Sequence, residues 1–167
     1  MAHRLVVEGE ALKRRFSVYV VVCRKSGEMA VYVGKTGDNR AGCNPLISRC
    51  GNHFSYNQIH SQLRNKLLGH EDYQYVFIFN HFSDYSAQTE TADNVNEINE
   101  MERWVNQELQ ARLPTSVRHL NPFRDSGFKA QDEKSRRRSF RTPPNRERVD
   151  DIVRAVVAEI ASVPVST

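Results

Sequence analysis

The sequence predicts an α+β domain. Its centre is a small three-stranded, mainly antiparallel sheet flanked by helices, and a basic arm and a C-terminal helix follow. Three observations predict this. Residues 16–23 (FSVYVVVC) and 29–34 (MAVYVG) are two β-branched and aromatic runs separated by a glycine-containing turn. Residues 73–79 (YQYVFIF) form a third such run. Further on, Ile98, Met101, Val105 and Leu109 recur at three- and four-residue steps, the stripe of an amphipathic helix.

At 167 residues, with 39% hydrophobic and 26% charged side chains, the chain has the size and composition of one globular domain. Residues 1–15 read as a leading segment with a short helix over 5–12. The first run is hydrophobic almost without interruption, so it is expected to be a central strand buried on both faces. The second run pairs with it as a hairpin. With Ser26 and Gly27 as the turn, Tyr19 falls opposite Gly34 and Tyr32 opposite Val21. Both tyrosines then leave the same sheet face, and Gly34 leaves open the space in front of Tyr19.

Residues 35–45 (KTGDNRAGCNP) form a loop. A helix begins near Pro45, with Asn44 as the cap, and carries Arg49 and His53 at i and i+4 on one face. Residues 55–57 interrupt it before IHSQLRNKLL resumes. After the third strand, residues 80–94 read as a loop and 94–113 as a helix that Pro114 ends. LNPF (residues 120–123) is a short packed element. Residues 124–148 hold few large apolar side chains, two consecutive prolines and the run Arg136, Arg137, Arg138, which predicts an extended or mobile arm. The division is therefore a core of residues 1–123, an arm of 124–148, and a C-terminal helix and tail of 149–167.

Charge is unevenly spread. Residues 112–148 carry eleven Lys/Arg against four Asp/Glu, whereas residues 84–108 carry seven Asp/Glu against Arg103 alone. A basic segment facing a polyanion and an acidic one holding a cation would divide charge in this way; two solvated faces of opposite sign would do so too. No apolar run reaches the ~20 residues of a membrane span, and no signal-peptide core is visible, so no membrane partner and a cytoplasmic location are expected. The odd set Cys23, Cys43, Cys50 agrees with a reducing compartment.

Tyrosine hydroxyls, a guanidinium, an imidazole, the ammonium of Lys35 and a carboxylate-rich helix are what phosphodiester hydrolysis requires. It needs a base for water, positive charge at the phosphate, and a cation shared with a carboxylate. Arginine suits phosphate because its fork engages two oxygens at once. Plainer readings stand beside this: two tyrosines with high strand propensity, an exposed Arg/His helical pair, a solvated lysine and surface acids. A zinc site of Cys43, Cys50, His53 and His60 is a further reading, but the spacing lacks the usual close cysteine pair.

The ordered set resembles the GIY-YIG nuclease family, over roughly residues 16–123. The two name-giving tripeptides stand as Val18-Tyr19-Val20 and Tyr32-Val33-Gly34, and the helix motif as Arg49-Cys50-Gly51-Asn52-His53. The layout is closest to the type II restriction endonucleases of that family, which insert residues between the second tripeptide and the arginine. The first tripeptide departs from the pattern, with valine for both glycine and isoleucine. The resemblance implies a metal-dependent DNA endonuclease of restriction type, with catalytic residues Tyr19, Tyr32, Lys35, Arg49, His53, Glu102 and Asn121. Glu102 would hold one Mg2+ (or Mn2+), with Glu100 as the second choice. Tyr19 or Tyr32 would be the base, Tyr19 the better placed because of Gly34. Double-stranded DNA is the implied partner and a homodimer the implied assembly. Arg136, Arg137, Arg138 and Arg141 of the arm would contact backbone phosphates. A low-specificity defence or processing nuclease and a catalytically silent nucleic-acid-binding module are the alternatives.

Overall fold

The computed structural model describes residues 2–37, 43–57, 59–85, 92–124 and 131–162. The architecture is α+β, with a four-stranded mixed sheet lying between two helical layers. Strand β1 (Arg15–Lys25) and strand β2 (Glu28–Lys35) form the expected hairpin, with Gly27 at φ 75° in its turn. Only glycine adopts such a φ without strain. The register is the expected one: Tyr19 pairs with Gly34 and Val21 with Tyr32. As its unbroken hydrophobicity requires, β1 is buried on both faces from Phe16 to Cys23.

Strand β3 (Gln74–Asp84) runs antiparallel on the other side of β1 and extends five residues past the apolar run. Residues 80–84, expected to be loop, stay in the ladder because β1 supplies their partners. The Ser17 hydroxyl lies 2.7 Å from His81 Nδ1, and Arg15 Nε lies 2.7 Å from Asp84 Oδ1. A bulge between Phe16 and Ser17 lets Phe82 turn into the core.

The fourth strand corrects the three-strand expectation. Strand β4 (Val117–His119) lies parallel to β2 at Met29–Val31, giving the order β3-β1-β2-β4. Three residues are too few to show alternation in sequence. Just beyond it, Asn121 continues the edge with its side chain: Val33 N–H donates to Asn121 Oδ1 at 3.0 Å, and Asn121 Nδ2 donates to the Val33 carbonyl at 2.6 Å. Asn106 Nδ2 in turn donates to the Asn121 carbonyl at 2.7 Å.

Helix α1 (Leu46–Phe54) follows Pro45, which occupies the capping position expected of Asn44. Helix α2 (Gln62–Lys66) follows a break at residues 55–61, and the N-terminal segment forms only a 3-10 turn at Gly9–Leu12. Together with α1 and α2, one sheet face buries Tyr19, Val21, Cys23, Leu46, Leu63 and Leu67. The opposite face packs Phe16, Val18, Val20 and Val22 against helix α3 (Ala92–Arg112) and helix α5 (Pro143–Ala161). Trp104, 1% exposed, stands at the centre of that second core.

Within the expected arm, residues 131–138 and 143–148 are helical. Helix α4 (Gln131–Arg138) has no apolar periodicity, but it is built of good helix formers, with acids in its first turn and Arg136–Arg138 in its last. Helix α5 begins six residues before the expected 149, because Thr142 accepts the Asn145 N–H and Pro143 and Pro144 fill positions where proline favours a helix start. Residues 125–130 and 163–167 lie outside the described residues. No described helix is long and apolar enough to cross a membrane.

Asn121→Ala removes both side-chain bonds to Val33. We expect a loss of about 2 kcal/mol in urea denaturation, with Asn121→Gln failing to restore it because the longer side chain misses the register.

Candidate active site

Residues of the hairpin, α1, α2 and α3 converge on an open cleft of about 400 Å3. The hairpin contributes Tyr19, Tyr32, Gly34 and Lys35; α1 contributes Arg49 and His53; α3 contributes Glu102. Six of the seven residues that the sequence singles out as catalytic therefore line one hollow. The seventh, Asn121, does not line it, and instead bonds the Val33 backbone on the β2 edge.

The centre of the cleft is set by close approach. A Cβ on Gly34 would lie 2.4 Å from Tyr19 Cζ and 2.5 Å from its hydroxyl. The Tyr19 ring therefore lies across β2 in space that only glycine leaves, and its hydroxyl meets His53 Nε2 at 2.7 Å. His53 stands edge-on to both tyrosines, with ring centroids 5.7 Å from Tyr19 and 4.9 Å from Tyr32. Its 4% exposure comes from this packing.

Burial makes both partners neutral. It raises the Tyr19 phenol well above its ordinary value; Tyr32 adds to the rise and the Arg49 charge opposes it. His53 is lowered to about 4, first by burial and then by the Arg49 guanidinium. Of its two ring nitrogens, Nδ1 is buried with no hydrogen-bond partner among the described residues. The bond to Tyr19 is thus the one polar contact that orients this imidazole.

Arg49 is anchored by Nε donating to the Lys35 carbonyl at 3.2 Å, which ties α1 to the end of β2. Lys35 forms an ion pair with Glu102, the one carboxylate among the described residues lining the cleft. The two candidate acids of α3 separate clearly. Glu102 is 24% exposed and faces the cleft, whereas Glu100 is 4% exposed on the other side of the helix, where Arg141 Nε donates to it at 2.7 Å.

No group of three or more His, Cys, Asp or Glu side chains that could cage a metal occurs among the described residues. The zinc reading finds no support in the placement of its members: Cys43 Sγ donates to the Arg15 carbonyl, and His53 Nε2 is engaged by Tyr19. A single carboxylate in an open cleft does fit a hard cation that keeps most of its waters and takes its remaining ligands from a phosphate.

Among the arm arginines, Arg136 and Arg138 are exposed on α4 and Arg137 lies 3.4 Å from Glu133. Arg141 is spent internally, on Glu100, on Gln107 and on the Trp104 ring. Sequence reasoning did not single out Asn52, Ile59 and Gln62 as cleft residues, and considered His60 only for zinc. Asn52 was within reach, being three residues after Arg49 on α1. The others depend on how the α1–α2 corner folds back. Comparison of the chain with protein-family models, with curated proteins and with solved structures finds no match.

The lowered His53 sets a pH dependence. In the unfolded chain this group takes its proton near 6.5, and in the folded chain only near 4, so folding is progressively destabilised as pH falls through that interval. His81 and His119 are lowered as well and act with the same sign. We expect thermal unfolding of wild type to show the loss between pH 6.5 and 4, and His53→Gln to lack part of it; parallel curves for the two proteins would contradict the assignment.

Proposed function

We propose that the protein is a metal-dependent DNA endonuclease that hydrolyses phosphodiester bonds, with the layout of a GIY-YIG restriction enzyme. The observation that carries the reading is the convergence of Tyr19, Tyr32, Lys35, Arg49, His53 and Glu102 on one cleft from four separate elements. Ordinary sheet tyrosines and solvated surface charges would have no reason to share it.

Each group then has a task that its surroundings suit. Arg49, held through its Nε by the Lys35 carbonyl, directs its guanidinium charge at a phosphate in the cleft. Tyr19 acts with His53 rather than alone. Burial opposes formation of a phenolate, so Tyr19 accepts a proton from water while passing its own to His53 Nε2, across the 2.7 Å bond. Burial first, and the Arg49 charge second, hold His53 down in the resting cleft. A phosphate paired with Arg49 offsets that charge and makes the imidazole a better acceptor. Tyr32 packs edge-on against His53 and keeps the ring in place.

Glu102 is the residue that would hold Mg2+ or Mn2+, with Lys35 ceding part of the carboxylate to it; such a cation supplies positive charge at the developing transition state. Cleavage of both strands of a two-fold symmetric site would take two copies of the chain, so a homodimer belongs to the proposal. That Cys23, Cys43 and Cys50 stand outside any disulfide suits the reducing cytoplasm in which such an enzyme would meet DNA. A nucleic-acid-binding module without catalysis is the second reading, favoured by the ion pair that engages Glu102.

Incubation with plasmid DNA and magnesium tests the proposal. Discrete fragments are expected; a smear would indicate a low-specificity nuclease, and retardation without cutting a binding module. Arg49→Ala and Glu102→Ala should each lower cleavage at least a hundredfold, the order set by loss of a preorganised charged group, with wild-type melting. Glu100→Ala should instead lower stability, because it takes the carboxylate from the half-buried Arg141 and leaves that charge with only Gln107 and the Trp104 ring. Full cleavage by Glu102→Ala would remove that residue from the site.

A further inference from the structure

Around α3 from the cleft, a smaller hollow is lined by Glu100, Arg103 and Gln107 of α3 and by the cations of α4 and the turn after it. Five Lys/Arg side chains face it against the single carboxylate of Glu100. Arg141 satisfies that carboxylate and also donates to Gln107 at 2.8 Å. Arg103 Nε stays 3.8 Å from Glu100, too far to bond. Arg137 approaches Glu133 through a terminal nitrogen. The Nε atoms of both Arg103 and Arg137 are buried, and neither has a hydrogen-bond partner among the described residues.

Buried donors without acceptors are costly, and both of these arginines line the same hollow. The hollow has a volume of about 10 Å3, room for one oxygen atom. A water fits that space, but amid five cations an anionic oxygen is bound far more strongly. A whole carboxylate or free phosphate is too large to be enclosed. A single oxygen projecting from a chain that runs past the mouth is not.

We propose that the hollow between α3 and α4 receives one non-bridging oxygen of a nucleic-acid backbone phosphate, at a point away from the bond to be cut. The proposal rests on the nuclease reading only for the identity of the polyanion. Arg103 directly follows Glu102 on α3, so cleft and hollow adjoin the same helix. A free inorganic anion resting at the mouth with one oxygen seated in the hollow shares the chemistry and is the competing source.

The test uses the full chain, a short fluorescein-labelled duplex and EDTA, so that binding is read without cleavage. Arg137→Gln should weaken binding about tenfold and reduce the slope of log affinity against log salt by about one, the value of one phosphate contact. Arg154→Gln, which removes the same charge from a 73% exposed position on α5, sets the background. A slope change no larger than that background, in a variant with wild-type melting, overturns the proposal. Should Arg137→Gln not fold, the unmodified protein carries the test through Trp104, the chain's single tryptophan. Arg141 and Arg146 stack on its ring at 4.9 and 4.6 Å, so an anion drawn to the hollow should change its emission. Duplex binding seen by anisotropy without a change in that emission overturns the proposal. Saturation of the same change by inorganic phosphate alone assigns the hollow to a free anion and overturns the backbone claim. A protein that gives the predicted slopes but never cuts DNA leaves this inference standing while the nuclease reading fails.

Discussion

The contact between the Tyr19 ring and the bare backbone of Gly34 governs the cleft. Because the two residues are partners in the β1–β2 ladder, the ring has to cross β2 at the place where a side chain would otherwise stand. That crossing carries the hydroxyl to His53 on α1, and so joins sheet to helix through one polar bond in an apolar setting. Low polarity is what makes the bond consequential. It keeps the phenol protonated and the imidazole neutral, leaving a pair that can move a proton without creating an isolated charge. Arg49, one helical turn before His53, supplies the positive charge that biases this pair.

Helix α3 divides the molecule's electrostatics between two surfaces. Glu100 and Glu102 are two positions apart, which on a helix of 3.6 residues per turn sets them on nearly opposite sides. One is sealed under Arg141 and serves to hold the segment between α4 and α5 against the domain. Its neighbour two residues on is reached by solvent and by Lys35. The basic hollow on the Glu100 side and the cleft on the Glu102 side are therefore two faces of one element. Lys35 and Arg49 line the cleft, and Arg103, Lys134 and Arg137 the hollow.

Much of the cleft was legible in the sequence because its geometry is local. A two-residue turn fixes a hairpin register, and the register fixes which side chains share a face, so Tyr19, Tyr32 and Gly34 followed from counting. Arg49 and His53 followed from helical spacing, whereas the separation of Glu102 from Glu100 shows only in how α3 packs. What was not legible depends on contacts between distant segments. Strand β4 is three residues long and exists because β2 offers an edge. Residues 80–84 are polar apart from Phe82 and join β3 because Arg15 and Ser17 answer them. The arm contains two helices' worth of good helix formers but no apolar period, so its ordering on Glu100 and Trp104 left no trace in pattern. The role of Asn121 as a substitute for strand backbone is equally invisible in sequence.

Under the proposed function, the cleft and no other surface holds the metal and the scissile phosphate together. Anomalous diffraction from crystals of the protein with duplex DNA and Mn2+ tests it most directly. A manganese peak bonded to a Glu102 oxygen is expected, with a phosphate between it and Arg49. A peak on any other carboxylate, or DNA bound with the cleft facing solvent, would contradict it.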